Sequence, residues 1–329
     1  MIRKIAITGA SGHIGANMVR ALLKQGFEAR ALYHTSGKTQ ALEELPVERR
    51  AVDVLDINTL REAFRGVDAV IHLAAIISVN GDPDGRVVRT NTEGPRNVVQ
   101  ACLDCSVRKL IHFSSIHAFR YTAADPIVTE AHPPAGPGNF AYDRSKAAGE
   151  REVLEGVSRG LDAVILNPTG VIGPYDFGSS HSGQMLKSLM KGTLPALAKG
   201  GFDWVDARDI ADAAVAALQK GRAGERYILS GQWASLRELA TLCHRYSGRR
   251  PPLLELPLWT ALLGLPFLKA FGRITGSLPL YTYESITVLK HSNRNCSNEK
   301  ARRELGYKPR PLEETIRDIY DWYKVRGMV

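Results

Sequence analysis

The chain has 329 residues, of which 44% are hydrophobic and 23% charged, and its net charge at pH 7 is +9. This composition is typical of a globular protein that buries a full core, and it excludes a disordered or collagen-like chain. The lysines and arginines are spread along the chain without a run of five like charges, so we expect a basic solvated surface and no nucleic-acid partner.

The first predicted strand, over residues 4–8, leads directly into the run Thr8-Gly9-Ala10-Ser11-Gly12-His13-Ile14-Gly15 and a helix over 15–25. Glycines at this junction let the backbone turn sharply and approach a pyrophosphate, while the helix N-terminus offers free N–H groups. A tight turn without a ligand is the alternative. Because the strand begins at once, we expect no secretory signal.

A second strand over residues 28–33 ends in the run 32–38, which includes His34 and contains no acidic residue. An acid at this position would hold the ribose hydroxyls of NAD and repel a 2′-phosphate. Its absence favours NADP(H) as the cofactor and leaves NAD(H) open.

Two further strands end in residues that suit a cofactor. A third strand over 47–52 is followed by Asp53, which could accept a hydrogen bond from an adenine amino group, whereas Asp56 fits a helix N-cap better. The fourth strand, over 69–73, ends in His72-Leu73-Ala74-Ala75, whose small residues allow cofactor contact.

Cys102 and Cys105 have the C-x2-C spacing of a zinc or redox pair. No second ligand pair follows, and residues 97–105 also form an amphipathic helical pattern, so we expect two small helical residues and no metal. Only two other cysteines occur, Cys243 and Cys296. Cysteine this sparse is typical of a reducing compartment and predicts a cytoplasmic protein.

Ser115, Tyr142 and Lys146 form a candidate catalytic triad. A strand over 109–114 leads into Ser115, and Tyr142 and Lys146 lie four residues apart on a predicted helix, where they share a face. An ammonium beside a tyrosine stabilises the phenolate, and lowering the tyrosine pKa from 10 towards 7 takes about 4 kcal/mol. We expect Tyr142 to act as general acid or base and Ser115, rather than Ser114, to hold the substrate oxygen. An ordinary strand-end cap is the alternative for Ser115.

Alternating strands and helices continue to a strand over 161–166, which predicts a Rossmann-type, doubly wound parallel sheet. After Pro168 the pattern changes: residues 174–183 resemble a loop over a site, and helices dominate from residue 233. We therefore predict a dinucleotide-binding domain over 1–172 and 202–231. A smaller, mostly helical substrate-binding lobe would comprise 173–201 and 232–329.

The stretch Leu253 to Phe271 is strongly apolar but contains Pro257, Pro266 and Lys269. These residues make it a poor transmembrane helix, so we expect no integral membrane segment. A core segment or the lining of an apolar substrate pocket is the favoured interpretation, and a peripheral membrane contact is the alternative.

Together these motifs resemble the extended short-chain dehydrogenase/reductase family within the NAD-dependent epimerase/dehydratase superfamily, and its dihydroflavonol-4-reductase-like branch. The resemblance rests on the glycine turn, Asp53, residues 72–75, Asn91-Thr92-Glu93-Gly94, Ser115, Tyr142, Lys146, and residues 167–174, 205–211 and 301–309. Sugar-nucleotide epimerases usually carry an Arg-Tyr-Phe-Asn type run where this chain has Asn167-Pro168-Thr169-Gly170-Val171. One departure is Phe119, where many members carry tyrosine, and it leaves substrate positioning open.

The resemblance implies that Tyr142 is the acid/base, that Lys146 contacts the nicotinamide ribose, and that Ser115 contacts the substrate oxygen. It also implies a set of cofactor-binding residues: Gly9, Ser11, Gly12, His13, Ile14, Gly15, His34, Asp53, Val54, Leu73, Ala74, Ala75, Asn91, Tyr142, Lys146, Asn167, Pro168 and Val171. By analogy with the family habit of pairing helices, a homodimer is a further expectation.

These features favour an NADP(H)-dependent carbonyl reductase or secondary alcohol dehydrogenase whose small-molecule substrate is a hydrophobic ketone or alcohol. An NAD-dependent nucleotide-sugar epimerase is the alternative, because the same triad serves both reactions. Dehydration commonly needs acidic residues just after the serine, where this chain has Ile116-His117-Ala118. A regulator that senses dinucleotides without chemistry is disfavoured, since both Tyr142 and Lys146 are present.

Overall fold

A parallel sheet lies at the centre of the molecule, in a computed structural model that describes residues 2–37, 39–178, 180–260 and 282–329. The strands are β1 Lys4–Thr8, β2 Glu28–Tyr33, β3 Glu48–Ala51, β4 Ala69–His72, β5 Lys109–Phe113, β6 Ala163–Pro168, β7 Gly170–Ile172, β8 Ala196–Ala198, β9 Gly201–Asp206, β10 Arg226–Leu229, β11 Gln232–Ser235 and β12 Leu254–Leu256. Seven of them form the central sheet in the order β10-β6-β5-β4-β1-β2-β3, with every pairing parallel. The predicted Rossmann-type doubly wound sheet is confirmed.

Helices cover both faces of this sheet, which explains why its inner strands are continuous apolar runs. The helices are α1 His13–Lys24, α2 Ile57–Phe64, α3 Arg86–Asp104, α4 Ala141–Ser158, α5 His181–Lys191, α6 Ala207–Lys220, α7 Leu236–Ser247, α8 Tyr283–His291, α9 Glu299–Leu305 and α10 Leu312–Val325. Met18 of α1 and Ile210 of α6 pack on one face of the sheet. Leu60 of α2, Val98 of α3 and Val153 of α4 pack on the other. Cys102 is fully buried in this second layer.

The order of the strands reverses beside β1. The chain runs from β1 outward through β2 to β3, and then returns to β4 on the other side of β1. Thr8, the last residue of β1, is therefore level with Leu32 of β2 and with His72 of β4. In open parallel sheets, such a reversal leaves a crevice at the carboxyl ends of the strands, where ligands bind.

A second core lies beyond the central sheet. It includes a three-stranded sheet in the order β11-β9-β7 and the parallel pair β12-β8, with α5, α7 and α10 packed around them. We expected residues 202–231 to belong with the dinucleotide-binding domain. Of these residues, α6 packs on the central sheet and β10 joins it beside β6, whereas β9 pairs with β7 and β11. The division of the chain into two domains stays a prediction.

In the part of the chain that the structure describes, no helix is both long enough and apolar enough to cross a membrane. Of the apolar stretch Leu253 to Phe271, residues 261–271 lie outside the described residues, as does Lys38 of the run after β2.

Candidate active site

The predicted site residues converge on one edge of the central sheet. They follow β1 (Gly9 to Gly15), β2 (His34), β3 (Asp53 and Val54), β4 (Leu73 to Ala75) and β5 (Ser115), and they end β6 (Asn167 and Pro168). Tyr142 and Lys146 lie in α4, Asn91 in α3 and Val171 in β7. Because all these strands are parallel, their carboxyl ends meet at the crevice beside β1.

The glycine turn leaves no room for side chains. Gly9 has φ +68°, and a Cβ atom there would lie 2.8 Å from the backbone nitrogen of Ala74. A Cβ on Gly15 would lie 2.2 Å from the carbonyl oxygen of Gly9. Gly12 is the N-cap of α1, so no side chain occupies the helix N-terminus. The turn therefore fits the pyrophosphate of a dinucleotide, which needs a close backbone approach and free N–H groups.

The side chain of His13 is used elsewhere. Its Nε2 lies 3.1 Å from the carbonyl oxygen of Gly173 and 3.2 Å from that of Pro174. Asn17, one turn further along α1, donates from Nδ2 to the same Pro174 oxygen at 3.0 Å. These contacts tie the loop after β7 to the start of α1. The His13 imidazole therefore fixes the position of the protein backbone at this end of the glycine turn.

Thr8 joins the ends of β1 and β4 beneath the turn. Its hydroxyl oxygen accepts the N–H groups of Leu73 and Ala74, each at 3.2 Å. The same oxygen lies 2.7 Å from Nδ1 of His72. Complete burial, aided by the charge of Lys146, lowers the pKa of His72 to about 3. His72 is therefore neutral, and its ring is held against the end of β1.

The adenosine end of the crevice carries polar but not acidic groups among the described residues of the loop after β2. Nδ1 of His34 lies 2.7 Å from the Ser36 hydroxyl, and a Cβ on Gly37 would lie 3.6 Å from the Ser11 hydroxyl. Asp53 is exposed, and its Oδ1 accepts the backbone N–H of Leu55 at 2.9 Å.

The side chain of Asp56 accepts the backbone N–H of Asn58 at 2.9 Å, so the predicted N-cap of α2 is confirmed. The two aspartates that follow β3 therefore have different hydrogen-bond partners. Asp56 serves the helix, whereas the carboxylate of Asp53 accepts the N–H of Leu55 in the turn before the helix. The adenine contact of Asp53 stays a prediction.

Ser115, Tyr142 and Lys146 meet where β5 ends and α4 begins. Tyr142 lies in the first turn of α4 with Lys146 one turn further on, and the His117 residue that donates its N–H to the Ser115 hydroxyl also packs its ring against Tyr142. Burial raises the pKa of Tyr142 to about 12, whereas the nearby Ser115 hydroxyl lowers this pKa and the charge of Asp143 raises it. Lys146 is buried and donates from Nζ to the carbonyl oxygen of Phe113 at 2.8 Å.

These values differ from the expectation that Lys146 would lower the tyrosine pKa towards 7. Burial dominates at both groups: it also lowers the pKa of Lys146 to about 8, although the nearby Glu150 carboxylate opposes this shift. The ammonium is held against the Phe113 carbonyl. In this state Tyr142 is a protonated phenol at neutral pH, which is the form that donates a proton.

Two asparagines of the predicted cofactor set hold the backbone around the predicted triad in place. Asn167 donates from Nδ2 to the carbonyl oxygen of Ser115 at 3.0 Å and to Oε1 of Glu150 at 2.6 Å. Asn91 exchanges two hydrogen bonds of 2.9 Å with the backbone of Ile76 and donates to the Ser145 hydroxyl at 3.0 Å. Both amides are fully or almost fully buried, and they fix the backbone around the site.

A histidine–aspartate pair beside Tyr142 was missed by the sequence analysis. Nδ1 of His117 lies 3.2 Å from Oδ1 of Asp143, and the rings of His117 and Tyr142 meet edge to face with centroids 5.8 Å apart. The His117 backbone N–H also donates to the Ser115 hydroxyl at 3.2 Å. Both residues neighbour the predicted triad in sequence, which is the signal that would have found them.

Phe119, the departure from the family pattern, is 3% exposed and packs against Ile116, Val128 and Ile228. Its ring belongs to a small core below the site. Phe119, at the position where many family members carry tyrosine, therefore contributes an apolar contact inside the protein.

Comparison with known proteins agrees with this geometry. The sequence profile of the NAD dependent epimerase/dehydratase family matches residues 5–230. Sterol demethylase protein B of Methylococcus capsulatus is 33% identical over 98% of this chain and 99% of its own length. The 4-hydroxy-2-methyl-3-oxo-4-farnesyl-3,4-dihydroquinoline-1-oxide ketoreductase of Stigmatella aurantiaca is 26% identical over 92% of this chain and 90% of its own. The crystal structure of gox2253 superimposes with a TM-score of 0.84 at 30% identity, covering 99% of each chain.

Proposed function

Because this chain belongs to the NAD-dependent epimerase/dehydratase family, we propose that it acts as a carbonyl reductase or secondary alcohol dehydrogenase on a hydrophobic substrate. The chain is an NAD(P)-dependent oxidoreductase of the extended short-chain dehydrogenase/reductase type. The observation that carries the proposal is the meeting of Ser115, Tyr142 and the buried Lys146 at the carboxyl end of β5.

In this proposal the protein's own groups handle the oxygen and the proton. The dinucleotide, when bound, supplies or accepts a hydride. Tyr142 donates its phenolic proton to the carbonyl oxygen of the substrate, and its raised pKa keeps that proton in place at neutral pH. The Ser115 oxygen accepts the His117 N–H, and the Ser115 hydroxyl proton would hydrogen-bond the same substrate oxygen. Lys146 would contact the nicotinamide ribose of the bound dinucleotide.

An apolar substrate is supported by the residues around the entrance. The rings of Phe140 and Tyr283 meet edge to face with centroids 6.4 Å apart, next to the start of α4. Ile77 is 67% exposed and directly follows Ile76, whose backbone is hydrogen-bonded to Asn91. The names of the two relatives refer to a sterol and to a farnesyl-bearing ketone. We infer that the substrate is a ketone or alcohol on a bulky apolar skeleton.

For the cofactor we propose a preference for NADP(H) over NAD(H). The hydroxyls of Ser11 and Ser36 and the imidazole of His34 offer hydrogen bonds where a 2′-phosphate would lie, and no described residue between 33 and 37 is acidic. A carboxylate at this place would repel the phosphate.

The test is NADPH consumption, followed by loss of its absorbance, with cholestanone, a decalone and dihydroquercetin as probes. We expect turnover with at least one of these ketones. Tyr142→Phe should reduce kcat/KM by about a thousandfold or more, because the proton donor is lost. Its affinity for NADPH should remain within about twofold of the wild type, since the glycine turn is untouched.

Tyr320→Phe in α10 is the matched control, since it removes a tyrosine hydroxyl far from the crevice, and it should keep full activity. Undiminished turnover by Tyr142→Phe would remove the tyrosine from the mechanism. An alcohol or sugar substrate epimerised without net consumption of nucleotide would favour the epimerase alternative.

A further inference from the structure

A group of large apolar side chains lies exposed at β12, far along the chain from the active site. Leu253, Leu254, Leu256 and Trp259 are 93%, 62%, 37% and 64% exposed. We call these four residues the β12 patch. Isolated exposed leucines are ordinary, but several large exposed apolar side chains close together in the chain mark an interaction site.

The backbone beneath the β12 patch is held in place, so the side chains face outward from a fixed support. β12 pairs with β8, with Leu254 opposite Ala196 and Leu256 opposite Ala198. The Lys199 N–H extends this pairing by donating to the carbonyl oxygen of Leu256 at 2.8 Å. From α7, the Arg237 guanidinium donates to the carbonyl oxygens of Pro252 and Leu253.

The surroundings of the β12 patch are basic. Lys191, Lys199, Arg249 and Arg250 are all exposed in the segments that flank it. The side chain of Arg249 reaches the end of α5, where a Cβ on Gly192 would lie 3.5 Å from its own Cβ. Over residues 191–199 and 249–260 the single acid is Glu255, and Arg237 lies 3.7 Å from it.

We propose that the β12 patch docks the protein onto an anionic membrane surface. Leucine and tryptophan enter the boundary between headgroups and acyl chains, while lysine and arginine contact lipid phosphates. Neither signal suffices alone, since reversible membrane binding becomes stable only when an apolar and a basic contribution act together. A protein partner fits less well, because protein interfaces are depleted in lysine, and the exposed Lys191 and Lys199 lie in the segments that flank this apolar surface.

The test is flotation of the full-length protein with vesicles. One set contains phosphatidylcholine alone, and the other contains equal parts of phosphatidylcholine and phosphatidylglycerol. We expect binding to the anionic vesicles that is at least about tenfold stronger than to the neutral ones and that weakens with added salt. The double variant Leu253→Asp/Trp259→Asp should lose at least about tenfold in affinity, because two apolar side chains are replaced by charges.

Val325→Asp is the matched control: Val325 is 86% exposed at the end of α10, and its replacement should leave binding unchanged. All variants should retain wild-type NADPH binding and thermal unfolding, which separates loss of docking from loss of fold. Absence of binding to anionic vesicles overturns the proposal, as does equal binding by the double variant. Sedimentation showing a dimer that the double variant dissociates, without vesicle binding, would assign the patch to self-association. None of these readouts depends on the catalytic proposal.

Discussion

The protonation of Tyr142 is set by burial and by the Asp143 carboxylate more than by Lys146. Burial holds the phenol in its neutral form, and the Asp143 carboxylate adds to this effect. Asp143 in turn pairs with His117 at 3.2 Å. A negative charge next to a tyrosine disfavours the phenolate, so the identity of residue 143 tunes the acid/base group.

Asp143→Asn should therefore lower the pKa of Tyr142. In the direction of alcohol oxidation, which needs the phenolate, the pH of half-maximal kcat/KM should move to a lower value. The measurement is a pH profile of alcohol oxidation for the variant, the wild type and Asp321→Asn, an exposed acid on α10 that serves as control. A profile that stays in place or moves to higher pH contradicts this assignment.

Asp203 is a second unusual acid, and it bears on stability. It is 7% exposed and accepts hydrogen bonds from the Thr169 hydroxyl at 2.6 Å and the Gly231 N–H at 2.7 Å. Burial nonetheless raises its pKa from 3.8 to about 6. A carboxyl whose pKa is raised on folding favours the folded state below its unfolded pKa, and this stability is lost as the pH rises through the folded pKa.

Asp203→Asn keeps an acceptor for both donors and removes the buried charge. We expect the variant to exceed the wild type in unfolding free energy at pH 8 by about 1 to 3 kcal/mol, with the difference fading towards pH 4. Urea unfolding at several pH values measures this. A variant that is less stable at pH 8 would mean that the charge is stabilised by contacts stronger than these two hydrogen bonds.

At the level of elements, the strands were the most predictable part of the fold. Buried parallel strands are uniformly apolar, so β1, β4 and β5 are evident from residues such as those of Ala69–His72. The predicted ends of a helix differed from the observed ones where its N-cap residue was not recognised. The predicted helix over 15–25 begins at His13, because Gly12 serves as its N-cap.

The contacts between distant elements were not predictable from the sequence. The His13 imidazole reaches carbonyls 160 and 161 residues away, and Asn17 reaches one 157 residues away. No periodicity or spacing encodes such a pairing, which exists only once the loop after β7 lies against α1. For the same reason the pairing of β9 with β7 and β11 was not predicted.

The junction of β1 and α1 gives a prediction at this scale. In Gly15→Ala the new Cβ would meet the Gly9 carbonyl oxygen at 2.2 Å, a backbone atom that cannot rotate away. We expect a loss of about 2 kcal/mol or more in unfolding free energy, together with weakened NADPH binding. Gly138→Ala is the control, because a Cβ there meets nothing within 4 Å. Chemical unfolding and NADPH titration of both variants give the comparison, and a Gly15→Ala variant with wild-type affinity would argue against the close turn.

At the level of the whole molecule, the fold and the meeting of Ser115, Tyr142 and Lys146 were both predictable, because family motifs and strand–helix alternation are local in sequence. The catalytic roles of the three residues stay a prediction. The His117–Asp143 pair and the supporting roles of Asn91 and Asn167 were not predictable, since they depend on which side chains meet across the crevice. The whole arrangement places a proton donor, a serine hydroxyl and a dinucleotide turn at one edge of the sheet.

We propose that this enzyme exchanges its cofactor with solution after each turnover and uses it to reduce a ketone. The most direct measurement is to denature freshly purified protein, identify any nicotinamide nucleotide it releases by mass spectrometry, and titrate the protein with NADPH and NADH. We expect little or no retained nucleotide and tighter binding of NADPH than of NADH. Near-stoichiometric retained NAD would contradict this proposal, since a cofactor kept between turnovers is what an epimerase requires.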